Sequence, residues 1–283
     1  MTDGVLVVVP TYNEADNLEE LAARLRRAAP GAELLVVDDG SPDGTADLAR
    51  TLGRRIGGVH VLARSGKQGL GAAYRAGFAW ALERDYRRVV QMDADLSHDP
   101  ADVPRLLARL ADADLAIGSR YVRGGGIVGW PVGRWLLSRA ANLYAQLMLA
   151  APVRDLTGGF KAWRAATLER IGVAGLRSNG YVFQVETTLR AMQAGLRPAE
   201  IPILFRERIR GMSKMGLHVA AEGLGQVIRL AWESAVGGAP SATPAVPGGQ
   251  PPILRVTTSE HREARHRPPL PPVAVRPIGE PVP

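Results

Sequence analysis

Cysteine is absent from the 283 residues, which excludes disulfides and thiolate metal sites and fits a reducing compartment. Long apolar runs are missing too. Met1–Gly4 leads directly into Val5–Val9, a run too short for a secretory core or a membrane span. Later apolar stretches are interrupted by arginines. The expectation is a cytoplasmic body with no spanning helix of its own. Aromatics are only 5% of the chain and no nucleic-acid motif is present, so a basic nucleic-acid-binding module is a remote reading.

What is present suits a globular protein. Hydrophobic residues make up 46% and charged residues 22%, enough to bury a core. The net charge is +7, from 35 Lys+Arg against 28 Asp+Glu. A basic excess suits an anionic partner, whether a phosphorylated substrate, an anionic membrane or nucleic acid, and equally suits a solvated arginine-rich surface.

The first half alternates between short apolar runs and helical periods. Strands are expected at Val5–Val9, Leu34–Val37, Val59–Leu62, Arg88–Met92 and Leu115–Gly118. Helices are expected at Glu14–Ala29, Thr45–Leu52, Gly71–Glu83 and Ala101–Ala111. Continuous apolar strands separated by helices predict an α/β fold, a mainly parallel sheet covered on both faces. Ligands collect at the carboxyl ends of such strands, and the polar clusters here follow strands one, two and four.

Two amphipathic stretches follow, Trp130–Ala150 and Leu217–Trp232. They are either core-packing helices or interfacial ones, with aromatics at headgroup depth and arginines in the polar layer. Residues 236–283 hold 12 of the 21 prolines and little apolar periodicity. That segment reads as a disordered tail, leaving 1–235 as the folded unit.

Three clusters carry chemistry. Asp93-Ala94-Asp95 ends the fourth strand, where the chain turns and both carboxylates can approach one hard cation such as Mg²⁺ or Mn²⁺. Pro10-Thr11-Tyr12-Asn13-Glu14 follows strand one: Asn13 can cap the next helix, Tyr12 offers a stacking ring, and Glu14 an acceptor for a base or ribose. Asp38 and Asp39 follow strand two, placed for ribose or base, while Asp43 and Thr45 also suit turn and cap chemistry.

Together these clusters resemble glycosyltransferase family 2. The segments Lys67–Gly71, Gly118–Tyr121, Asp155–Lys161 and Arg208–Lys214 narrow the resemblance to its polyprenol- or dolichol-phosphate mannosyltransferases. The resemblance implies a GT-A-type nucleotide-sugar-binding fold with amphipathic interfacial helices. It also implies mannose transfer from GDP-mannose to a polyprenyl monophosphate, with inversion and with Mg²⁺ or Mn²⁺. By the same resemblance Pro10, Tyr12, Glu14, Val37 and Asp39 line the guanosine pocket. Asp93, Ala94 and Asp95 meet the diphosphate, Asp93 and Asp95 also holding the metal, with Ser97 a weaker third ligand. Arg208 and Lys214 contact the donor, and Arg120, Arg134 and Ser213 the acceptor phosphate, which makes Asp93, Asp95 and Arg120 the catalytic set.

A phosphate monoester, with a second pKa of about 6, is already anionic at neutral pH, so no catalytic base is needed. Glu186, where relatives that attack through a sugar hydroxyl place a base, is expected to support the site or bind a sugar hydroxyl. The lipid acceptor gives the amphipathic segments a purpose at a membrane surface, on the inner face of the cell membrane. Trp130, Trp135, Leu136, Leu137 and Tyr144 are the expected contacts, and a membrane-anchoring partner protein is a further expectation. A glucosyltransferase using UDP-glucose and the same lipid phosphate is the rival within the fold.

Overall fold

A computed structural model describes residues 4–180, 182–207 and 217–236 of the chain. Arg208, Ser213, Lys214 and the tail from 237 onward lie outside the described residues.

The first three strands, β1 (Val5–Thr11), β2 (Ala32–Asp38) and β3 (Val59–Ala63), alternate with α1 (Ala15–Ala28), α2 (Thr45–Ile56) and α3 (Leu70–Leu82). Then come β4 (Arg88–Gln91), a 3-10 turn at Pro100–Asp102 running into α4 (Val103–Arg109), and β5 (Leu115–Ser119). The expected boundaries hold to within a few residues; the helix expected over 101–111 is realised as the 3-10 turn Pro100–Asp102 followed by α4. The second half supplies β6 (Gly126–Val128), α5 (Val132–Met148), β7 (Lys161–Arg164), α6 (Ala165–Arg170), α7 (Val182–Gln193), β8 (Pro198–Pro202), β9 (Leu204–Arg206) and α8 (Leu217–Val236).

Seven strands form one sheet in the order β3-β2-β1-β4-β7-β5-β8, with β6 and β9 in a separate parallel pair. β7 runs antiparallel to both its neighbours, and the other pairings in the large sheet are parallel.

The central runs of β1, β2, β4 and β5 are apolar because both faces are covered there. Leu6, Val8, Leu35, Val37 and Val89 pack with Tyr74 and Phe78 of α3 and Phe183 of α7 on one face. Val5, Val7, Val9, Leu34, Val36 and Val90 pack with Leu18 and Leu21 of α1 and Leu106 of α4 on the other. Gly77 lets α3 lie close to the sheet: a Cβ there would stand 2.4 Å from Val8 Cγ1.

β1 continues three residues beyond its last pairing with β4, from Val8 to Thr11, and Thr11 is paired with Asp38 at the end of β2. The polar loops after β1, β2 and β4 therefore leave one edge of three adjacent strands. This frame positions everything described next.

Candidate functional site

The loops after β1 and β2 are fastened to each other. Thr11 Oγ1 donates to Asp38 Oδ1 (3.0 Å), and Ser41 donates to Asp38 through its backbone N (2.9 Å) and hydroxyl (2.5 Å). Asn13 adopts φ +61°, a region asparagine tolerates, and gives its N–H to Ser41 Oγ (2.9 Å). It does not cap α1. Asp43 does so from the other loop, accepting from Ala15 N (3.1 Å) while also accepting from Thr45 N (3.0 Å) at the start of α2. One carboxylate thus satisfies donors at two helix starts. Asp38 is absorbed in holding the loop, whereas a ligand role was expected of it.

Asp39 is buried and accepts from Arg64 Nη1 (2.5 Å) and Gln68 N (3.1 Å). Tyr12 is half-buried, with Lys67 Nζ 4.7 Å from its ring centroid. Pro10 and Glu14 are half-buried beside it, and Glu14 Oε2 accepts from Asn17 Nδ2 (2.8 Å). Val37 is fully buried in the core beneath α3, so it can present only backbone to a ligand. Ala94 is likewise a core residue.

β4 stops at Gln91, so Asp93 and Asp95 stand on a turn, not on the strand, and Leu96 at φ +61° completes it. The Asp93 side chain is 35% exposed. Its backbone N donates to His98 Nδ1 (3.2 Å), and Tyr74 OH donates to Asp93 Oδ1 (3.4 Å). Burial pushes the Tyr74 phenol well above its ordinary pKa, and Asp93 adds to the shift, so Tyr74 stays a donor. Asp95 is buried, its Oδ1 accepting from Ser97 N (3.1 Å) and Ser97 Oγ (2.6 Å). Ser97 therefore buttresses Asp95.

His98 sits 3.8 Å from the Asp93 carboxylate, but this is not an ion pair. Its Nδ1 accepts a backbone N–H, which requires the neutral ring, and burial lowers its pKa against the opposing pull of Asp93 and Asp95.

The donor set fits a divalent cation. Two carboxylates, one open to solvent, are what Mg²⁺ or Mn²⁺ uses when substrate phosphates complete the coordination. No cluster of three or more His, Cys, Asp or Glu exists among the described residues to form a closed protein cage.

Arg120 follows β5 and is locked to Asp155. Its Nε donates to Asp155 Oδ2 (2.8 Å), its Nη2 to Asp155 Oδ1 (2.7 Å) and to Thr157 Oγ1 (2.8 Å), and its backbone N to Asp155 Oδ2 (2.9 Å). The side chains are 8% and 0% exposed. This fork leaves Nη1 as the end for an anion among the described residues. Burial works against the Arg120 charge, but Asp155 outweighs it and holds the guanidinium protonated. Lys161 of β7 pairs with both Gln91 at the end of β4 and Ile117 of β5, so the loops that carry Asp93 and Arg120 leave the same edge of the sheet. Arg134, at the start of α5, packs over Trp130 (3.9 Å) and donates to Glu207 (3.1 Å). An aromatic row links it to the acidic turn: Trp130 on Phe205 (5.4 Å), Phe205 on His98 (5.3 Å).

Beneath the turn lies a network not foreseen from the residues. Lys161 is fully buried, and its Nζ donates to Gln184 O (2.6 Å), Thr188 Oγ1 (2.9 Å) and Thr187 Oγ1 (3.3 Å). Burial brings its pKa down to about 7, with Asp155 partly opposing the shift. Glu186 is buried and accepts from Ser178 N (3.0 Å). It tethers the segment before α7. Arg64, Gln184 and Gln91 carried no motif signal, since single Arg and Gln residues in apolar context show nothing of what they face.

The described helices include none long and apolar enough to cross a membrane. α5 exposes Val132, Trp135, Leu136 and Leu147, and α8 exposes Leu224, Ile228 and Trp232 at i, i+4, i+8. Trp130 and Tyr144 are half-buried, so they contribute less to this surface than expected.

Comparison with known proteins agrees with this geometry. The Glycosyl transferase family 2 model matches residues 6–172. An undecaprenyl-phosphate mannosyltransferase of Micrococcus luteus is 48% identical over 225 residues, covering 80% of this chain and 93% of the relative. A polyprenol monophosphomannose synthase of Mycolicibacterium smegmatis is 49% identical over 216 residues, covering 76% and 82%. Among solved structures, a mannosyl-3-phosphoglycerate synthase from Rubrobacter xylanophilus superposes with a TM-score of 0.60 at 20% identity, over 86% of this chain and 78% of that one. A Pyrobaculum calidifontis mannosyltransferase in complex with GDP-Man and Mn²⁺ gives 0.56 at 24%, over 83% and 65%. These solved structures share the fold.

Proposed function

The chain belongs to glycosyltransferase family 2, and from that premise we propose that it transfers mannose from GDP-mannose to a polyprenyl monophosphate. The observation that carries this reading is that the acidic turn at Asp93 and Asp95 and the Arg120 fork leave the same edge of the sheet, β4 and β5 both pairing with β7 at Lys161. Relatives at nearly half identity bear the names of polyprenyl-phosphate mannosyltransferases, and they favour mannose over the glucose alternative.

Asp93 and Asp95 hold the divalent cation, Mg²⁺ or Mn²⁺, which when bound neutralises charge on the departing diphosphate. Tyr12 and Asp39 receive the guanosine, with Pro10, Glu14 and the backbone of Val37 and Ala94 around it. Arg120, held rigid by Asp155, and Arg134 draw in the acceptor phosphate. Two unit charges 4 Å apart repel by about 4 kcal/mol at an effective dielectric near 20, which such cations offset. Arg208, Ser213 and Lys214 add donor and acceptor contacts in the same reading.

The acceptor phosphate oxygen forms a bond to C1 of mannose, and the bond from C1 to the β-phosphate oxygen breaks, its electron pair leaving with GDP. No proton is transferred, so no base is required, and direct in-line attack inverts the anomeric centre. The polyprenyl chain stays in the bilayer while its phosphate reaches the site. The exposed stripes of α5 and α8 meet the inner face of the cell membrane, alone or beside an anchoring partner.

Donor depletion tests the reading. The purified chain with polyprenyl phosphate and Mn²⁺ is expected to consume GDP-mannose and to leave UDP-glucose untouched; preference for UDP-glucose would overturn the choice of sugar.

A further inference from the structure

Gln184, at the start of α7, is 2% exposed, yet its side-chain Nε2 has no hydrogen-bond partner among the described residues. Burying an amide donor unpaired forfeits its hydrogen bonds to water with nothing in return, so such a group calls for an explanation.

The orientation of the amide is fixed by its neighbours. The Trp163 indole can only donate, and its Nε1 lies 2.9 Å from Gln91 Oε1. Gln91 must therefore turn its oxygen to Trp163 and its Nε2 to Gln184 Oε1 (2.5 Å). Gln184 then has its oxygen engaged and its NH₂ facing the other way. Its backbone carbonyl is pinned as well, by Lys161 Nζ. Gln91 and Lys161 are paired across β4 and β7, so the whole relay rests on the sheet.

The free NH₂ faces a small gap beside the acidic turn. A Cβ built on Gly159 would lie 3.5 Å from Gln184 Nε2, 3.6 Å from His98 Cε1 and 3.8 Å from Asp93 Oδ1. Gly159 does not occupy the left-handed region, so its backbone does not demand glycine. What the missing side chain provides is space ringed by an amide donor and the partly exposed Asp93 carboxylate.

We propose that Gln184 is a donor-sugar contact, its Nε2 donating to a hydroxyl oxygen of the transferred hexose, which enters the gap left open by Gly159. The inference rests on the GDP-mannose reading given above. It makes the Trp163–Gln91–Gln184 relay a device that aims two N–H donors before any sugar arrives.

The test compares GDP with GDP-mannose on the full chain, using parent, Gln184→Met and Gly159→Ala. Gln184→Met keeps the volume and removes both the NH₂ donor and the oxygen that accepts from Gln91; Gly159→Ala leaves that relay intact, adds a methyl at ordinary contact distance and fills the gap. Both variants are expected to bind GDP within about twofold of the parent and to lose about tenfold in kcat/KM for GDP-mannose, the order of one hydrogen bond. Donors lacking the sugar hydroxyl at C2, C3, C4 or C6 in turn extend the test. One of them should cost the parent the same factor and cost Gln184→Met nothing more. The proposal is overturned if every deoxy donor loses as much in Gln184→Met as in the parent, or if GDP affinity falls together with transfer. If Gln184→Met does not fold, Gly159→Ala decides between the same outcomes. A parent that binds GDP but neither binds nor consumes GDP-mannose overturns the donor reading itself, and this inference with it.

Discussion

Arg120 and Asp155 face each other in a two-pronged ion pair at 2.7 and 2.8 Å, almost wholly out of water. A third contact, from the Arg120 backbone N to the same carboxylate, ties the end of β5 to the Asp155–Lys161 loop. The pair sets where the guanidinium points, and the reading above gives that guanidinium to the acceptor phosphate.

Asp155→Asn should separate folding from charge. Removing one partner of a buried pair costs about 3–5 kcal/mol, a fall in melting temperature on the order of 10 °C for a unit of this size. The same pair predicts acid sensitivity. Burial alone would raise the Asp155 pKa, but Arg120 outweighs it and holds the carboxyl below the ordinary range. Its contribution is therefore complete above the unfolded value of about 3.9 and is lost as pH falls through the lower folded value. The gap in melting temperature between parent and variant should stay constant from pH 6 to about pH 4 and narrow as pH falls further.

Lys161 predicts the opposite limb. Its folded pKa of about 7 lies below the unfolded value of about 10.4. Between these values the unfolded chain binds more protons, so stability rises with pH across that window. Lys161→Met should lack this slope, read as melting temperature at pH 7, 8, 9 and 10. An identical slope in both proteins would mean that Lys161 remains charged throughout.

Trp135, on the exposed side of α5, should matter to lipid binding and not to the fold. Trp135→Glu is expected to reduce flotation with anionic liposomes at least fivefold while leaving the melting temperature within 1–2 °C, since exposed substitutions cost about 0.5 kcal/mol or less. Undiminished flotation would move the docking face elsewhere.

The parallel core was legible in the sequence because its strands are buried on both faces and so read as unbroken apolar runs. β7 escaped notice for the converse reason: Lys161-Ala-Trp-Arg164 is short and carries a buried lysine whose partners come from α7. β8 contains prolines at both ends, a pattern that argues against a central strand, and it lies at the sheet's edge. At the site, Asp93 and Asp95 declared themselves by following an apolar run. Gln184 did not, because its significance lies in which of its atoms is left unpaired, and that follows from Trp163 and Gln91, far from it in sequence. Asp43, not Asn13, caps α1, because the capping group arrives from a neighbouring loop and not from the helix's own approach.

The central claim is that Asp93 and Asp95 would hold one cation against the donor diphosphate while Arg120 draws in the acceptor phosphate. The direct measurement is transfer of labelled mannose from GDP-mannose to polyprenyl phosphate by the purified chain, with Mn²⁺ or Mg²⁺ and again after chelation, for parent and Asp95→Ala. The account predicts mannosyl lipid only with metal present, and a loss of at least about a hundredfold in Asp95→Ala, as for removal of one strong electrostatic contact to the reacting centre. Equal transfer by the parent and Asp95→Ala, or transfer undisturbed by chelation, would contradict it.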